Sequence, residues 1–451
     1  MSLVRRSTRL QSSNTIRRKL LSNMFWLYAL QGLNYLVPLA VLPYLVRVLG
    51  VERYGLIAFA QAFAQYFVIL TDYGFNLSAT KRIALMRDHR EEVSSLYWSV
   101  ILIKLGLMLL GAVVVAAVVA FVPRFRADAL LYAIAYLAVL GSVLFPVWLF
   151  QGLEQMRYIS FVSGAAKVLS AALLFILVRR QSDYVLALAI QSGGLLLAGV
   201  AGFWVGIRRY QLAFRIPSRE QLSQVLRDGW HLFVSNAAGT LYATSNVFLV
   251  GLVAGNVDAG YFSAAEKITR SIQGMLGPIT QAIYPHVSTL AAQSREVAIA
   301  FLRKSLAWIG LLSFAPSVVL LLFAGPIAHL LFARAAEGTI VPLRWMAMLP
   351  FIIAVSGVLA IQTMIPFGME KQLSRIYIVA AFSSLCFSLP LIYRFGAAGG
   401  AAGVFVIESC IVLAMWGVLK RHKIDLWPRA SRVEKRRPDS AGKVSQDAFT
   451  F

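Results

Sequence analysis

The residues with chemistry to offer are ionisable and amide side chains set inside long apolar runs. Gln61, Gln65, Asp72 and Asn76 fall within about a 60° arc of one helix face at 100° per residue. Glu266, Arg270, Gln273 and Tyr284 do the same, within about 60°. Lys104, Lys167, Lys267 and Arg344 sit in similar surroundings, as does Glu408. Ionisable groups at membrane depth are costly and usually face a cavity or a partner. The interior charge is five basic groups (Lys104, Lys167, Lys267, Arg270, Arg344) against three acidic ones (Asp72, Glu266, Glu408), a balance of +2. A wet interior of that sign attracts anions, and low-dielectric walls strengthen the attraction. Two readings of the stripes stay open: cavity lining, or buried interhelical hydrogen bonds with Glu266 and Arg270 paired at i and i+4. Lys104 and Arg344 are also candidates to snorkel to an interface.

These residues must be carried by membrane-spanning helices. The chain of 451 residues is 59% hydrophobic and 14% charged, where a soluble protein carries about 25% charged residues. At about 20 apolar residues per crossing there is room for ten to fourteen spans. Twelve can be marked, near 23–46, 54–78, 97–122, 128–151, 158–178, 184–207, 230–254, 259–289, 305–331, 340–367, 373–393 and 398–420. The predicted organisation is a basic segment 1–22, a six-helix bundle 23–207, a connector 208–229, a second bundle 230–420 and a basic, disordered tail 421–451. The first apolar run is too long for a signal peptide and lacks a small-residue cleavage site after it, so it is expected to remain as a helix.

The formal charge of +23 at pH 7 raises the question of nucleic acid. The charges instead lie between apolar runs. Of the 43 Lys and Arg, 30 fall in segments on the N-terminal side of the membrane, 8 on the other side and five within spans. That asymmetry places both termini in the cytoplasm and favours an even number of helices. No nucleic-acid partner is expected. Cys386 and Cys410 read as small core residues, not as a disulfide or metal pair. His286 and His329 are isolated, no metal-ligand spacing occurs, and there is no Gly-rich nucleotide loop.

The chain also resembles itself at an offset of 205 residues. Gly50-Val-Glu-Arg-Tyr-Gly55 near the end of the first span aligns with Gly255-Asn-Val-Asp-Ala-Gly260 near the end of the seventh. A tight turn with positive φ at each glycine is the expected reason. Helices 1 and 7 begin on the same side, so the repeat is parallel. It predicts two six-helix halves related by an axis along the membrane normal, with substrate between them and alternating access by rocking. Under it Gln61 matches Glu266 and Gln65 matches Arg270. Helix 7 carries Ser235, Asn236, Thr240, Thr244, Ser245 and Asn246 all around its circumference, so protein or water should enclose it. Prolines inside spans, among them Pro38, Pro43, Pro146, Pro316 and Pro390, allow bends. Ser218 and Gln221 fit a capping box opening a short interfacial helix over 218–229.

The run Pro43-Tyr-Leu-Val-Arg-Val-Leu-Gly-Val-Glu-Arg-Tyr-Gly55 resembles the first-helix motif of polysaccharide exporters of the O-antigen flippase type. So does Asp72-Tyr-Gly-Phe-Asn-Leu-Ser-Ala-Thr-Lys-Arg-Ile-Ala84 after helix 2, and Gly260-Tyr-Phe-Ser-Ala-Ala-Glu-Lys-Ile268 with Pro278 and Tyr284-Pro285 in helix 8. The resemblance covers about residues 20–420. It implies an all-α protein of the multidrug/oligosaccharidyl-lipid/polysaccharide exporter superfamily, with two bundles around a central cationic cavity. It implies an undecaprenyl-pyrophosphate-linked oligosaccharide as substrate, flipped towards the periplasm in O-antigen, lipopolysaccharide, exopolysaccharide or capsule synthesis. Polysaccharide polymerase and chain-length machinery are implied as further partners, beside membrane lipids. Arg47, Asp72, Lys267 and Arg270 lie inside the matched motifs. With Gln61, Gln65, Lys104, Lys167, Glu266 and Gln273 they form the candidate substrate-binding set. No catalytic residue, metal or cofactor is expected; a proton or sodium gradient is the candidate energy source. Relatives with fourteen helices exist, so grooves built on extra helices are not carried over. A drug/cation antiporter would want an acidic cavity. A membrane polymerase or glycosyltransferase would want positioned acids or bases on a sizeable outer loop, and the outer loops here are a few residues long.

Overall fold

The computed structural model describes the backbone of residues 2–426, and the side chains from residue 30 onward apart from some positions within 231–285. Among the described residues the chain is helical, with no strand. Eight helical runs are long and apolar enough to cross a membrane. Two of them, Leu30–Met86 and Glu370–Arg421, each hold two passes, because the helix breaks at Gly50 (φ 77°) and at Gly396 (φ 56°). Arg219–Ala254, with the apolar stretch Thr244–Ala254 at its end, and Asn256–Gln293 are further long helices of the same bundle. Twelve passes result: α1 (2–49), α2 (51–86), α3 (Arg90–Phe121), α4 (129–152), α5 (Met156–Leu177), α6 (Tyr184–Tyr210), α7 (Arg219–Ala254), α8 (Asn256–Gln293), α9 (295–332), α10 (336–364), α11 (370–395) and α12 (397–421).

The glycine pairs of the repeat do two jobs, not one. Gly50 and Gly255 (φ 97°) adopt the left-handed backbone that lets α1 turn into α2 and α7 into α8. Gly55 and Gly260 lie within helices and need no unusual φ. Small size is what they supply. A Cβ on Gly55 would stand 1.8 Å from the Asn256 carbonyl oxygen, and one on Gly260 would stand 2.4 Å from the Val51 carbonyl oxygen. Val51 and Asn256 are themselves one repeat apart. The contact is therefore reciprocal, and α2 and α8 cross backbone to backbone on the axis relating the two halves.

Around that crossing the halves adhere at the end of the molecule carrying the Gly50 and Gly255 turns, the turn end. Phe59 of α2 stacks on Phe248 of α7 with ring centroids 5.0 Å apart, and Phe63, Phe125 and Tyr132 complete the cluster. Aromatic pairs of this kind contribute about 0.5–1.5 kcal/mol each. Arg124 donates to the Leu252 carbonyl at 2.7 Å and to the Gly251 carbonyl, at the C-terminus of α7. Arg47 donates to Leu331 O at 2.9 Å and to Leu330 O, at the last turn of α9. Both cations thus meet carbonyls in the last turns of a helix, where the dipole is negative. Between helices in lipid there is little hydrophobic drive, so close packing and such polar caps carry the adhesion.

Four expectations are corrected. The segment 218–229 is not a separate surface helix: the capping box forms, with Gln221 N donating to Ser218 Oγ at 3.2 Å and Ser218 N to Gln221 Oε1 at 3.0 Å, but the helix runs on to Ala254. Gly229, which could have ended it, is held against Tyr73, whose carbonyl oxygen would lie 3.0 Å from an added Cβ. Val225 is buried, with Leu222 and Leu226 beside it, against the first half's core of Phe75, Ile83, Tyr97 and Trp148. Cys386 and Cys410 are free and exposed on the helical surface, not in the core. The chain after residue 420 starts ordered: Ile424 and Leu426 are buried, and Arg303 donates to Asp425 O at 2.8 Å. The disordered tail expected beyond lies, from residue 427, outside the described residues. Lys104 does not snorkel; its side chain is 1% exposed. Arg344 is exposed.

Candidate functional site

A cavity of about 730 Å³ opens inside the first half, between α1, α2, α4, α5 and α6, and Lys267 of α8 completes its lining from the second half. Pro38 lines it where α1 passes, and Pro146 interrupts α4 beside it, so that Ser142, Phe145 and Val147 reach the wall. The stripe of α2 faces it: Gln61, Gln65, Asp72 and Asn76 all line it. The stripe survives a break at Tyr73–Gly74, where Tyr73 has φ 41° and Gly74 φ 72°.

Two lysines set its charge. Lys167 of α5 donates to Asn34 Oδ1 of α1. Lys267 sits over the Tyr54 ring, 5.1 Å from its centroid, and the Tyr54 hydroxyl lies 3.3 Å from Ser263 Oγ. Among the described residues neither lysine is in an ion pair. Asp72 is the acidic side chain on the wall, and it is already matched. Its Oδ1 is 3.5 Å from Lys104 Nζ, and its Oδ2 accepts from Asn76 Nδ2 at 2.7 Å. Lys104 stands behind the wall and also donates to Ser142 O at 3.0 Å. Three lysines against one aspartate leave the chamber a formal balance of +2. Gln61 donates to Gln191 Oε1 at 3.2 Å, so that amide pair keeps further hydrogen-bonding groups at the wall. A mostly apolar chamber with a few convergent amides and two free ammonium groups can hold an anion with polar substituents.

The predicted set therefore divides. Gln61, Gln65, Asp72, Lys167 and Lys267 meet at one cavity, with Lys104 buried behind Asp72. Arg47 is drawn away to the α9 carbonyls at the turn end. Glu266 and Arg270 pair at 2.8 Å on α8, and the Glu408 and Tyr35 side chains also act on Arg270. Gln273 is half-buried on α8 and is not among the residues lining this cavity. Asn34, Tyr54, Ser142 and Gln191 were missed. Asn34, Ser142 and Gln191 lie in apolar runs outside any quoted motif, and Tyr54 lay in a motif but beside the charged Glu52 and Arg53. His329 faces Glu337 at 3.4 Å, and among the described residues no cluster of three or more His, Cys, Asp or Glu could hold a metal ion.

The same architecture occurs in known proteins. The lipid II flippase MurJ in its inward closed conformation superposes with a TM-score of 0.68 at 13% identity, over 89% of this chain and 87% of that one. An inward-facing multidrug resistance MATE family transporter of the MOP superfamily gives 0.61 at 16% identity, over 86% and 95%. At such identities the likeness is one of fold, the two-lobed helical fold. In sequence, the putative O-antigen transporter of Escherichia coli (strain K12) is 33% identical over 411 residues, 91% of this chain and 99% of the relative. That of Shigella dysenteriae is 32% identical over 404 residues, 88% and 99%. Residues 20–291 match the family described as polysaccharide biosynthesis protein. The chain is thus a multi-pass membrane protein, and it belongs to that polysaccharide biosynthesis family.

Proposed function

We propose that the protein is a flippase that carries an undecaprenyl-pyrophosphate-linked oligosaccharide from the cytoplasmic to the periplasmic leaflet of a bacterial inner membrane. The observation that carries this reading is the cavity holding Lys167 and Lys267 outside any ion pair. A pyrophosphate cannot cross hydrocarbon unaided, because an uncompensated charge there costs many kcal/mol. Two ammonium groups in a low-dielectric chamber offset that cost, and the amides of Gln61, Gln65 and Gln191 suit sugar hydroxyls. At about 730 Å³ the chamber takes the diphosphate and the first sugars, while the prenyl tail stays in lipid. A cationic drug would be repelled by the same lysines. The putative O-antigen transporters that the chain resembles support the substrate class.

The work is transport, with no covalent step, and it proceeds by alternating access as the halves rock against each other, meeting at the Gly55–Gly260 crossing when the turn end is closed and parting there when it opens. Both termini are cytoplasmic in this reading, so the turn end is periplasmic. A proton or sodium gradient drives the cycle, and polymerase and chain-length machinery receive the product. The test is flipping of a fluorescent undecaprenyl-pyrophosphate glycan in proteoliposomes, with complementation of a flippase-deficient strain. Lys167→Ala/Lys267→Ala should lose most of both at unchanged protein level. Full activity of that double variant would remove the reading.

A further inference from the structure

The first three turns of α7 carry Arg219, Leu222, Ser223, Leu226, Arg227 and Trp230, at offsets of 3, 4, 7, 8 and 11 from the first. At helical spacing these form one stripe. The stripe and Tyr73, from the break in α2, line a second cavity of about 420 Å³. It shares no lining residue with the larger chamber.

We propose that this cavity binds the phosphate headgroup of an anionic glycerophospholipid, in the leaflet at the end where residues 87–89 and 211–218 lie. Charge is the first argument. Arg82 pairs with Asp228 at 3.3 Å and Arg215 with Glu91 at 3.2 Å, whereas among the described residues Arg219 and Arg227 are in no ion pair. Two unpaired guanidinium groups and the Ser223 hydroxyl on one wall match a phosphodiester, which accepts from forked donors. Depth is the second. Trp230 is 50% exposed, and Phe214 and Ile216, on the segment that leads into α7, are 63% and 82% exposed. Indole and large aliphatic groups beside arginines mark the boundary between headgroups and acyl chains. A soluble anion or an acidic peptide would leave that apolar surface uncovered; a phospholipid covers it with its own chains, along Leu222 and Leu226. The Tyr73 ring is fixed as the opposite wall by stacking on Phe233 at 4.8 Å.

Native mass spectrometry of the purified full chain tests this, with phosphatidylglycerol and phosphatidylcholine of identical acyl chains at equal concentration. Phosphatidylglycerol should be retained preferentially. Arg219→Ala/Arg227→Ala should weaken that preference about tenfold, Arg219→Lys/Arg227→Lys should keep part of it, and Arg215→Ala, outside the cavity, should keep it all. Should the double alanine variant fail to fold, Ser223→Phe, which fills the cavity and leaves both arginines, should lower retention in the same way. An unchanged preference in Arg219→Ala/Arg227→Ala or in Ser223→Phe, or equal retention of phosphatidylcholine, would overturn the proposal. So would displacement by millimolar inorganic phosphate, which marks a site for any small anion. Displacement by an equal concentration of undecaprenyl pyrophosphate would also overturn it, assigning the cavity to the transported carrier instead.

Discussion

Gly55→Ala tests the axis directly. An added Cβ would lie 1.8 Å from the Asn256 carbonyl oxygen, where real Cβ atoms stay beyond 3.0 Å, so the α2 and α8 backbones must part by about 1.2 Å. At Gly260 the corresponding contact is 2.4 Å, and about 0.6 Å suffices. Overpacking of this kind costs about 1–3 kcal/mol. Replacing a helical glycine by alanine returns about 0.8–1 kcal/mol. The net for Gly55→Ala is about 0–2 kcal/mol, or up to roughly 30-fold in an equilibrium. Because the contact joins the two halves, opening the turn end relieves the strain and the closed state bears it. Spin labels on cysteines placed at exposed Arg126 and Glu337, with native Cys386 and Cys410 changed to serine, report that separation by pulsed electron resonance. The open population should rise in Gly55→Ala and rise less in Gly260→Ala. Gly417→Ala, with nothing within 4 Å of the new carbon, should not shift it. Unchanged distances in a folded Gly55→Ala protein would refute the reasoning.

Three further outcomes follow from the charges and the buried amide. Asp72→Asn leaves Lys104, 1% exposed, without its counter-charge; Asp72 is itself 31% exposed at the cavity wall, so the loss falls below the about 3–5 kcal/mol of a fully buried pair, the melting temperature should fall, and Asp72→Asn/Lys104→Met should recover most of the loss. Failure of that recovery would mean the pair is not what the buried ammonium depends on. Arg124→Ala removes the cap on α7 and the cation over the Phe59 ring, 5.0 Å away, and thiol labelling at the turn end should quicken, with Arg124→Lys in between because an ammonium lacks the fork; equal labelling rates would deny Arg124 a part in closure. Gln362 is fully buried, its Oε1 has no partner among the described residues and its Nε2 makes one long bond, 3.5 Å, to Thr280 O, so Gln362→Met should leave thermal stability level or raise it, and a clear drop would show that the amide has a use.

The helix count was legible because each crossing needs an apolar run of fixed length, and because basic residues alternate from side to side. That alternation agreed with α7 and α8 as crossings although both carry more polar residues than most of the other runs. The α2 stripe was legible too, since Gln61, Gln65, Asp72 and Asn76 share one element and one period. Partnerships between elements were not. Lys104 looked like a residue that could reach an interface, and nothing local says that Asp72, 32 positions earlier, is its counter-ion. Arg47 carried a motif's weight in sequence, yet the carbonyls that claim it lie more than 280 residues away. The π-helical turn Val358–Met364, which buries Gln362 and Thr363, left no readable signal because its residues are ordinary helix formers.

The repeat duplicated the mechanics and not the chemistry. At the offset of 205 the crossing glycines correspond, and the contacts they make are reciprocal to the residue. The same offset takes Asp72 to Gly277 and Lys104 to Ile309, which is buried in an apolar cluster with Ala354 and Val358. The second half therefore lacks the counterpart of the ion pair and lends the cavity one lysine, Lys267, from its own crossing helix. That placement has a consequence for coupling. Lys267 lies on α8 and Lys167 on α5, so movement of one half against the other changes the distance between the two ammonium groups, while the Asp72–Lys104 pair, wholly within the first half, moves as a unit. In the proposed rocking cycle an anion held between the two lysines is stabilised most while they converge and less as they part. A chamber confined to one half and closed by a single charge from the other is thus able to bind in one state and release in the other, which two symmetric half-sites would do only if both were remade at each turn.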